Sequence, residues 1–266
     1  MNLPILMLSF IILYQPEEIK PPKLDGLSEN QKGDVIFKYQ QKRDEGFKSS
    51  QVSMSMTLYN AAGESSQRQM LFKTLEVADE GDKTLMIFEK PSDVKGTALL
   101  TYEHIKSDDD QWLYLPSLKK TKRISASDKT GSFMGSEFSY EDLASFEIEK
   151  FTYKLLKEEK YENMDCWIIE RIPKVKESGY SKIISWVDKE NYLVRKSDFY
   201  NKAKEHLKTM LSLDYKKYNE VHWRPGTIEM VNKLTKKKTI LQFDKWKLKL
   251  NLSSSDFTKQ KLEEGD

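Results

Sequence analysis

A mainly β (α+β) fold of about a dozen antiparallel strands is what this sequence predicts, on three observations. Short apolar runs alternate with period two, as in Val52, Met54, Met56 and Leu58 against Ser53, Ser55 and Thr57. Polar turn signals such as Asn60-Ala61-Ala62-Gly63-Glu64 separate such runs at regular spacing. Between them there is no alternating helical pattern of the kind βαβ units need, so neighbouring strands are expected to pair antiparallel.

In chain order, residues 3–14 (LPILMLSFIILY) form an apolar run as long as a secretory signal core and too short to cross a bilayer as a helix. An export signal is expected there. It is atypical, because Met1-Asn2 carries no Lys or Arg and no A-x-A-like site precedes the polar QPEEIKPPKLDG. Residues 1–27 are therefore read as signal and linker, and residues 28–266 as a single domain. Residues 28–46 place Val35, Ile36 and Tyr39 at helical spacing and stop at Gly46, which predicts one short amphipathic helix. The strand at Val52 is then answered by RQMLFKTLEV as a hairpin partner. Further strands follow at TLMIFEK, TALLTY, QWLYLP, KFTYKLLKEE, DCWIIERI, SKIISWVD, YLVRKSDFY, HLKTMLSLDY, TIEMVNK and TILQFDKWKLKLNL. In the last of these, Trp246, Leu248, Leu250 and Leu252 alternate with Lys247, Lys249 and Asn251, so one face is expected to be covered and the other wet.

Composition excludes some classes. Lys+Arg 44 against Asp+Glu 42 leaves a net charge of +2, which makes no case for nucleic acid and only a weak one for an anionic membrane. The single Cys166 excludes an intrachain disulfide and a multi-cysteine zinc site, and its place in a strand run makes it a buried structural thiol. His104, His206 and His222 are scattered without spaced carboxylates, so no metal site is expected. Asp108-Asp109-Asp110 lacks the alternating ligands of a calcium loop and reads as a solvated hairpin turn. Gly131-Ser132-Phe133-Met134-Gly135 looks like a nucleophile elbow with its serine one place early, so hydrolysis through Ser132 is a weak reading. Without a dinucleotide-binding glycine turn or a Walker loop, no cofactor is expected. The runs Lys119-Lys120-Thr121-Lys122-Arg123 and Lys236-Lys237-Lys238 read as charged turns, with phospholipid headgroup contact or partner docking as the alternative.

Residues 88–146 stand out. Trp112, Tyr114 and Leu115 sit on a short strand closed by Pro116, and Phe133, Met134, Phe138 and Tyr140 crowd a loop between glycines. A solvated loop does not need this much apolar surface. Either the loop folds back as cover for the core, or it serves as a lid over an apolar cavity or a contact surface for a partner. Glu141 and Asp142 would then mark its wet edge.

The strings KPSDVKGTALL, DQWLYLPSLKKTKRIS and GSFMGSEFSYEDL resemble the outer-membrane lipoprotein-sorting protein family, relatives of the periplasmic lipoprotein carrier LolA. The likeness runs from about Ser28 to the closing SSSDFTKQKLEEG. It implies a strongly curved, incomplete antiparallel β-barrel wrapped around helices, with a hydrophobic cavity, working in the periplasm without a cofactor. It also implies lipid or lipoprotein acyl chains as cargo, a transporter of the resistance-nodulation-division type as a partner, transient membrane contact and a monomer. On that reading Trp112, Tyr114, Leu115, Phe133, Met134 and Phe138 line or cover the cavity, and Met54, Met56, Leu99 and Trp186 form its floor. Tyr140, Glu141 and Asp142 are the partner-docking candidates. The competing class is a non-enzymatic adaptor that docks on a transporter and carries nothing. A one-residue error of register would invert each assignment of face.

Overall fold

The computed structural model describes residues 19–144 and 147–265. The expected export signal at residues 3–14 lies outside the described residues, as does Phe146. The first element, α1 (Glu29–Asp44), begins at a capping box: Gln31 N–H donates to Ser28 Oγ at 3.4 Å, and Ser28 N–H donates to Gln31 Oε1 at 2.9 Å. Then come β1 (Ser49–Tyr59), β2 (Ser65–Leu75), β3 (Lys83–Lys90), β4 (Ala98–Tyr102), β5 (Asp110–Leu115) and β6 (Lys120–Ile124). A segment of short 3-10 turns leads to β7 (Phe151–Tyr161), β8 (Met164–Pro173), β9 (Tyr180–Asp188), β10 (Val194–Asn201) and β11 (His206–Leu213). The small hairpin of β12 (Lys216–Tyr218) and β13 (His222–Arg224) precedes β14 (Thr227–Asn232), β15 (Lys238–Phe243), β16 (Lys247–Leu248) and α2 (Lys259–Glu264).

All strands but β12 and β13 form one 14-stranded sheet, in the order β6-β5-β4-β3-β2-β1-β15-β14-β11-β10-β9-β8-β7, with β16 pairing β1 to the side. The pairings are antiparallel, as period-two alternation and short turns require. So many twisted strands cannot stay flat. The sheet curves until Asp109, before β5, forms an ion pair with Lys150, before β7, yet the end strands β6 and β7 do not pair and the barrel stays open.

Three expectations change at the local level. The run beginning at Lys119 is not all turn: Lys120–Ile124 is an edge strand paired with β5, and its outward lysines discourage pairing with another chain. The closing strand breaks after Phe243, and only Lys247–Leu248 pairs again, with β1. The alternation survives the break, with Trp246 buried and Lys247 and Lys249 exposed. The Asp108-Asp109-Asp110 turn is also less solvated than expected, since Asp109 engages Lys150, and Asp110 engages Arg123 and His104.

The inner face of the sheet carries most of the core. Helix α1 covers it over β7 to β9, packing Ile36 and Phe37 on Tyr153, Leu155, Trp167 and Ile169. Gly33 permits this close approach, because a Cβ there would lie 3.0 Å from both Lys154 N and Tyr153 Cβ. Helix α2 lies on the other face, where Phe257 and Leu262 cover Leu85, Ile87, Leu100 and Trp112. Cys166 is buried in a small outer cluster with Ile168 and Ile184, and burial raises its thiol pKa, consistent with a structural role. Among the described residues no helix is long and apolar enough to cross a membrane.

The β2–β3 turn contributes a pH-dependent term. Gly81 (φ +125°) lets this turn touch the β4–β5 turn, and a Cβ there would lie 2.5 Å from Glu103 O. Asp82 is thereby desolvated near Glu76 and Glu147, and its pKa rises to about 7 despite a 3.2 Å hydrogen bond from Val77 N–H. A carboxyl with a raised folded pKa favours the fold below its ordinary value of 3.8, and that contribution is lost as pH climbs through about 7. Asp82→Asn is therefore expected to stabilise the protein above pH 7 by about 2 kcal/mol and to flatten its stability between about pH 4 and 7. Urea denaturation across that range checks this, and an unchanged pH slope would refute it.

Candidate functional site

Residues 131–143 form a plug on the inner face. A Ser132↔Ser139 bridge and the bond from Phe133 N–H to Phe138 O (2.7 Å) make a miniature hairpin. Its tip has positive φ at Met134 (49°) and Gly135 (76°), closed by Ser136 N–H donating to Phe133 O at 2.9 Å. Two successive left-handed residues define a type I′ turn, which glycine favours at its second central position. Gly131, in contrast, is ordinary extended backbone at φ −70°. The segment is thus a built element with one tight turn, not a loop hinged at two glycines.

The plug inserts Phe133 and Phe138 into the core. Phe133 is 0% exposed, with ring centroids 5.7 Å from Phe88 and 5.5 Å from Tyr140. The surface it covers is rich in methionine: Met54, Met56, Met70, Met86 and Met230 are buried there, with Met134 and Met210 packed against them. Register explains this gathering. Met54 pairs with Met70, Met86 with Leu99 and Met210 with Met230, so alternate residues of several strands face inward together. Methionine, unbranched and flexible, can repack around occupants of different shape.

Polar contacts hold the plug at both ends. At its tip, Arg68 Nη1 donates to Met134 O at 2.6 Å, and Asn232 Nδ2 donates to Glu137 Oε2 at 2.7 Å. At its base, Asp142 forms an ion pair with Lys208 in which both side chains are almost fully buried. Asp142 also accepts from Tyr180 Oη at 2.7 Å, Ser139 N–H at 2.7 Å and Ser139 Oγ at 2.8 Å. Burial, then the adjacent Asp142 charge, pushes the Tyr180 pKa well up, so the phenol stays a donor. Glu141 accepts from Ser178 Oγ and from Gly179 N–H at 2.9 Å, and desolvation raises its pKa. A cavity of about 70 Å³ remains beside the base, lined by Tyr140, Glu141, Lys150, Phe151, Tyr180 and Ile183.

The structure brings together Met54, Met56, Leu99, Leu115, Phe133, Met134, Phe138 and Tyr140 in one inner cluster. It sets three expected residues elsewhere. Trp112 and Tyr114 pack on the opposite face with α2, because on β5 it is Gln111, Leu113 and Leu115 that turn inward. Trp186 is in the outer cluster with Cys166, and its indole N–H donates to Glu159. Glu141 and Asp142 are not a wet edge: both point inward and anchor the plug. The roomy pocket implied by the resemblance is occupied by the plug in this conformation. Ser132 Oγ donates to Ser136 O at 2.6 Å, and the three histidines contact Asp110, Asp198 and Asp44, away from it. Sequence reasoning missed Met70, Met86, Met210, Met230, Tyr180 and Lys208. Lys208 did leave a signal, a lone cation in the apolar run HLKTMLSL at an inward position.

Comparison with known proteins agrees with this architecture. A family model described as uncharacterized protein matches residues 80–264. No curated protein sequence matches the chain. Among solved structures, an outer membrane lipoprotein-sorting protein domain from Vibrio parahaemolyticus is 46% identical, with a TM-score of 0.86 over 88% of this chain and 99% of that one. A DUF1329 family protein from Desulfovibrio piger is 27% identical, with a TM-score of 0.84 over 89% of this chain and 100% of that one. A LolA superfamily protein from Nitrosomonas europaea shares the fold at 20% identity, with a TM-score of 0.69 over 88% of this chain and 100% of that one. With an open, curved antiparallel sheet around a methionine-lined inner face and near half its residues identical to the Vibrio domain over that domain's full length, the chain belongs to the outer membrane lipoprotein-sorting protein family.

Proposed function

We propose that this protein is a periplasmic, non-enzymatic carrier whose inner face takes the acyl chain of a lipid or lipoprotein when residues 131–143 move aside. The cargo is handed toward the outer membrane, with a resistance-nodulation-division exporter as donor. The observation that carries this reading is a short hairpin plug seated on a methionine-lined face. Ligand pockets usually measure about 300–1,000 Å³, so the 70 Å³ cavity beside the plug cannot take an acyl chain. The plug itself must yield that space. An acyl chain of about fifteen methylenes gains roughly 12 kcal/mol on leaving water, at about 0.8 kcal/mol each. Re-exposing Phe133 and Phe138 costs about 1.5–3 kcal/mol each and parting the buried Asp142–Lys208 pair about 3–5 kcal/mol, so the gain from a long acyl chain is of the size the exchange needs. Met54, Met56, Leu99 and Leu115 would then contact cargo, and Phe133, Met134, Phe138 and Tyr140 would be displaced by it.

A fluorescent fatty-acyl probe tests this. Met134→Ala/Phe138→Ala thins the plug and is expected to tighten probe binding about tenfold or more, since less contact must be broken. Trp112→Ala and Trp186→Ala, off the inner face, should leave affinity unchanged. A folded wild type that binds no probe, with a thinned variant that also binds none, would sink the carrier reading. That outcome would favour a cargo-free adaptor docking on a transporter, the reading the filled inner face otherwise supports.

A further inference from the structure

We infer that one edge of the sheet is a docking surface for an anionic lipid bilayer. In an antiparallel sheet alternate connections fall on the same edge, and here the β5–β6, β10–β11 and β14–β15 turns do so. The registers Ile87↔Ala98, Ala98↔Tyr114, Tyr59↔Lys238 and Lys208↔Asn232 fix that placement. The two basic runs, distant in sequence, thus fall on one edge, and Lys202 and Lys204 of the β10–β11 turn extend the run at the β14–β15 turn. Each run follows an exposed apex leucine: Leu118, 61% exposed, before Lys119-Lys120, and Leu234, 53% exposed, within Lys233-Leu234-Thr235-Lys236-Lys237. These two leucines are the most exposed of the large apolar side chains described.

The opposite edge is acidic. Its β2–β3 turn carries Glu76, Asp79, Glu80 and Asp82, and its β4–β5 turn carries Glu103, Asp108 and Asp109 against the single cation Lys106. A net charge of +2 therefore conceals a charge separation along the strands, which orients a protein at a charged surface. Among the described residues Lys119, Lys202, Lys204, Lys233 and Lys237 make no ion pair, so their charges are available to a partner. Isolated leucines at turn apices, each ringed by flexible lysines, suit a lipid interface: the apolar side chain enters the headgroup–acyl boundary and the ammonium groups meet phosphates. The plug tip opens on this edge too, since Gly135, Lys237, Lys238 and Thr239 line one surface groove of about 280 Å³. The inference stands apart from the carrier reading, because none of these lysines or leucines belongs to the inner cluster.

Co-sedimentation of the full-length protein with vesicles of phosphatidylethanolamine and phosphatidylglycerol, against phosphatidylcholine alone, tests it. The wild type should prefer the anionic vesicles and lose that preference near 1 M salt, where the Debye length is about 3 Å. Lys233→Glu/Lys236→Glu/Lys237→Glu should weaken binding on the order of 100-fold. Leu118→Ser/Leu234→Ser should weaken it about tenfold without changing the salt dependence. The control Lys106→Glu/Lys154→Glu/Lys160→Glu, with the same change in net charge away from this edge, should have little effect. All substituted side chains are exposed, and near-UV circular dichroism verifies folding. Equal weakening by control and edge variants, or equal wild-type binding to both vesicles at low salt, would overturn the inference; both results leave the acyl-probe assay unaffected.

Discussion

Asp142→Ala is expected to destabilise the protein by about 3–5 kcal/mol, the cost typical of breaking a buried ion pair by removing one partner. The reason is what stays behind. Lys208 is almost fully enclosed, with Nζ between the rings of Tyr180 (5.3 Å) and Phe199 (5.5 Å). Among the described residues, without the carboxylate its remaining hydrogen-bond acceptor is Glu137 O at 3.1 Å; Ser139 N–H loses its acceptor, and Tyr180 Oη and Ser139 Oγ are left with each other at 3.2 Å. Removing both charges, as in Asp142→Leu/Lys208→Met, should cost much less, because no lone ion is left in an apolar setting. A double-mutant cycle by urea denaturation therefore gives non-additivity of more than about 1 kcal/mol. Strictly additive losses would show that the pair does not anchor the plug. The same Asp142→Ala protein should bind the acyl probe more tightly than wild type, since the base of the plug is released.

Phe133→Ala is the second large effect, a loss of about 3–5 kcal/mol for truncating a fully buried phenylalanine. The ring is held between Phe88 and Tyr140, above a floor of methionines. Those flexible side chains can collapse partly into the space, which places the expected value toward the lower end of that range. A loss below about 1 kcal/mol would mean that the plug is only loosely seated. The void created should also admit the acyl probe, so stability falls while probe affinity rises. A loss of both would mark Phe133 as structural alone.

Much of the fold was legible because its signals are local. The helical spacing of Val35, Ile36 and Tyr39, the period-two run from Val52 to Leu58 and the Asn60–Glu64 turn each rest on neighbouring residues. The edge strand Lys120–Ile124 was not legible, since a charged run looks the same whether or not a neighbouring strand takes up its backbone. The site was half legible. Composition marked residues 131–143 as too apolar for a solvated loop, and they do fold inward. Trp112 and Tyr114 fell on the outer face because large aromatic side chains suit either face of a sheet covered on both sides, here by α2 on the outside.

By itself, the sequence determined the antiparallel strands, the opening helix and the family resemblance, all of which depend on short-range pattern. Tertiary structure alone decided which face of each strand turns inward, that Asp142 pairs with a buried Lys208, and that the basic turns share an edge opposite the acidic ones. Alternation states that side chains divide between two faces but not which face is covered; that choice, like the separation of charge, is made only when strands distant in sequence come into register.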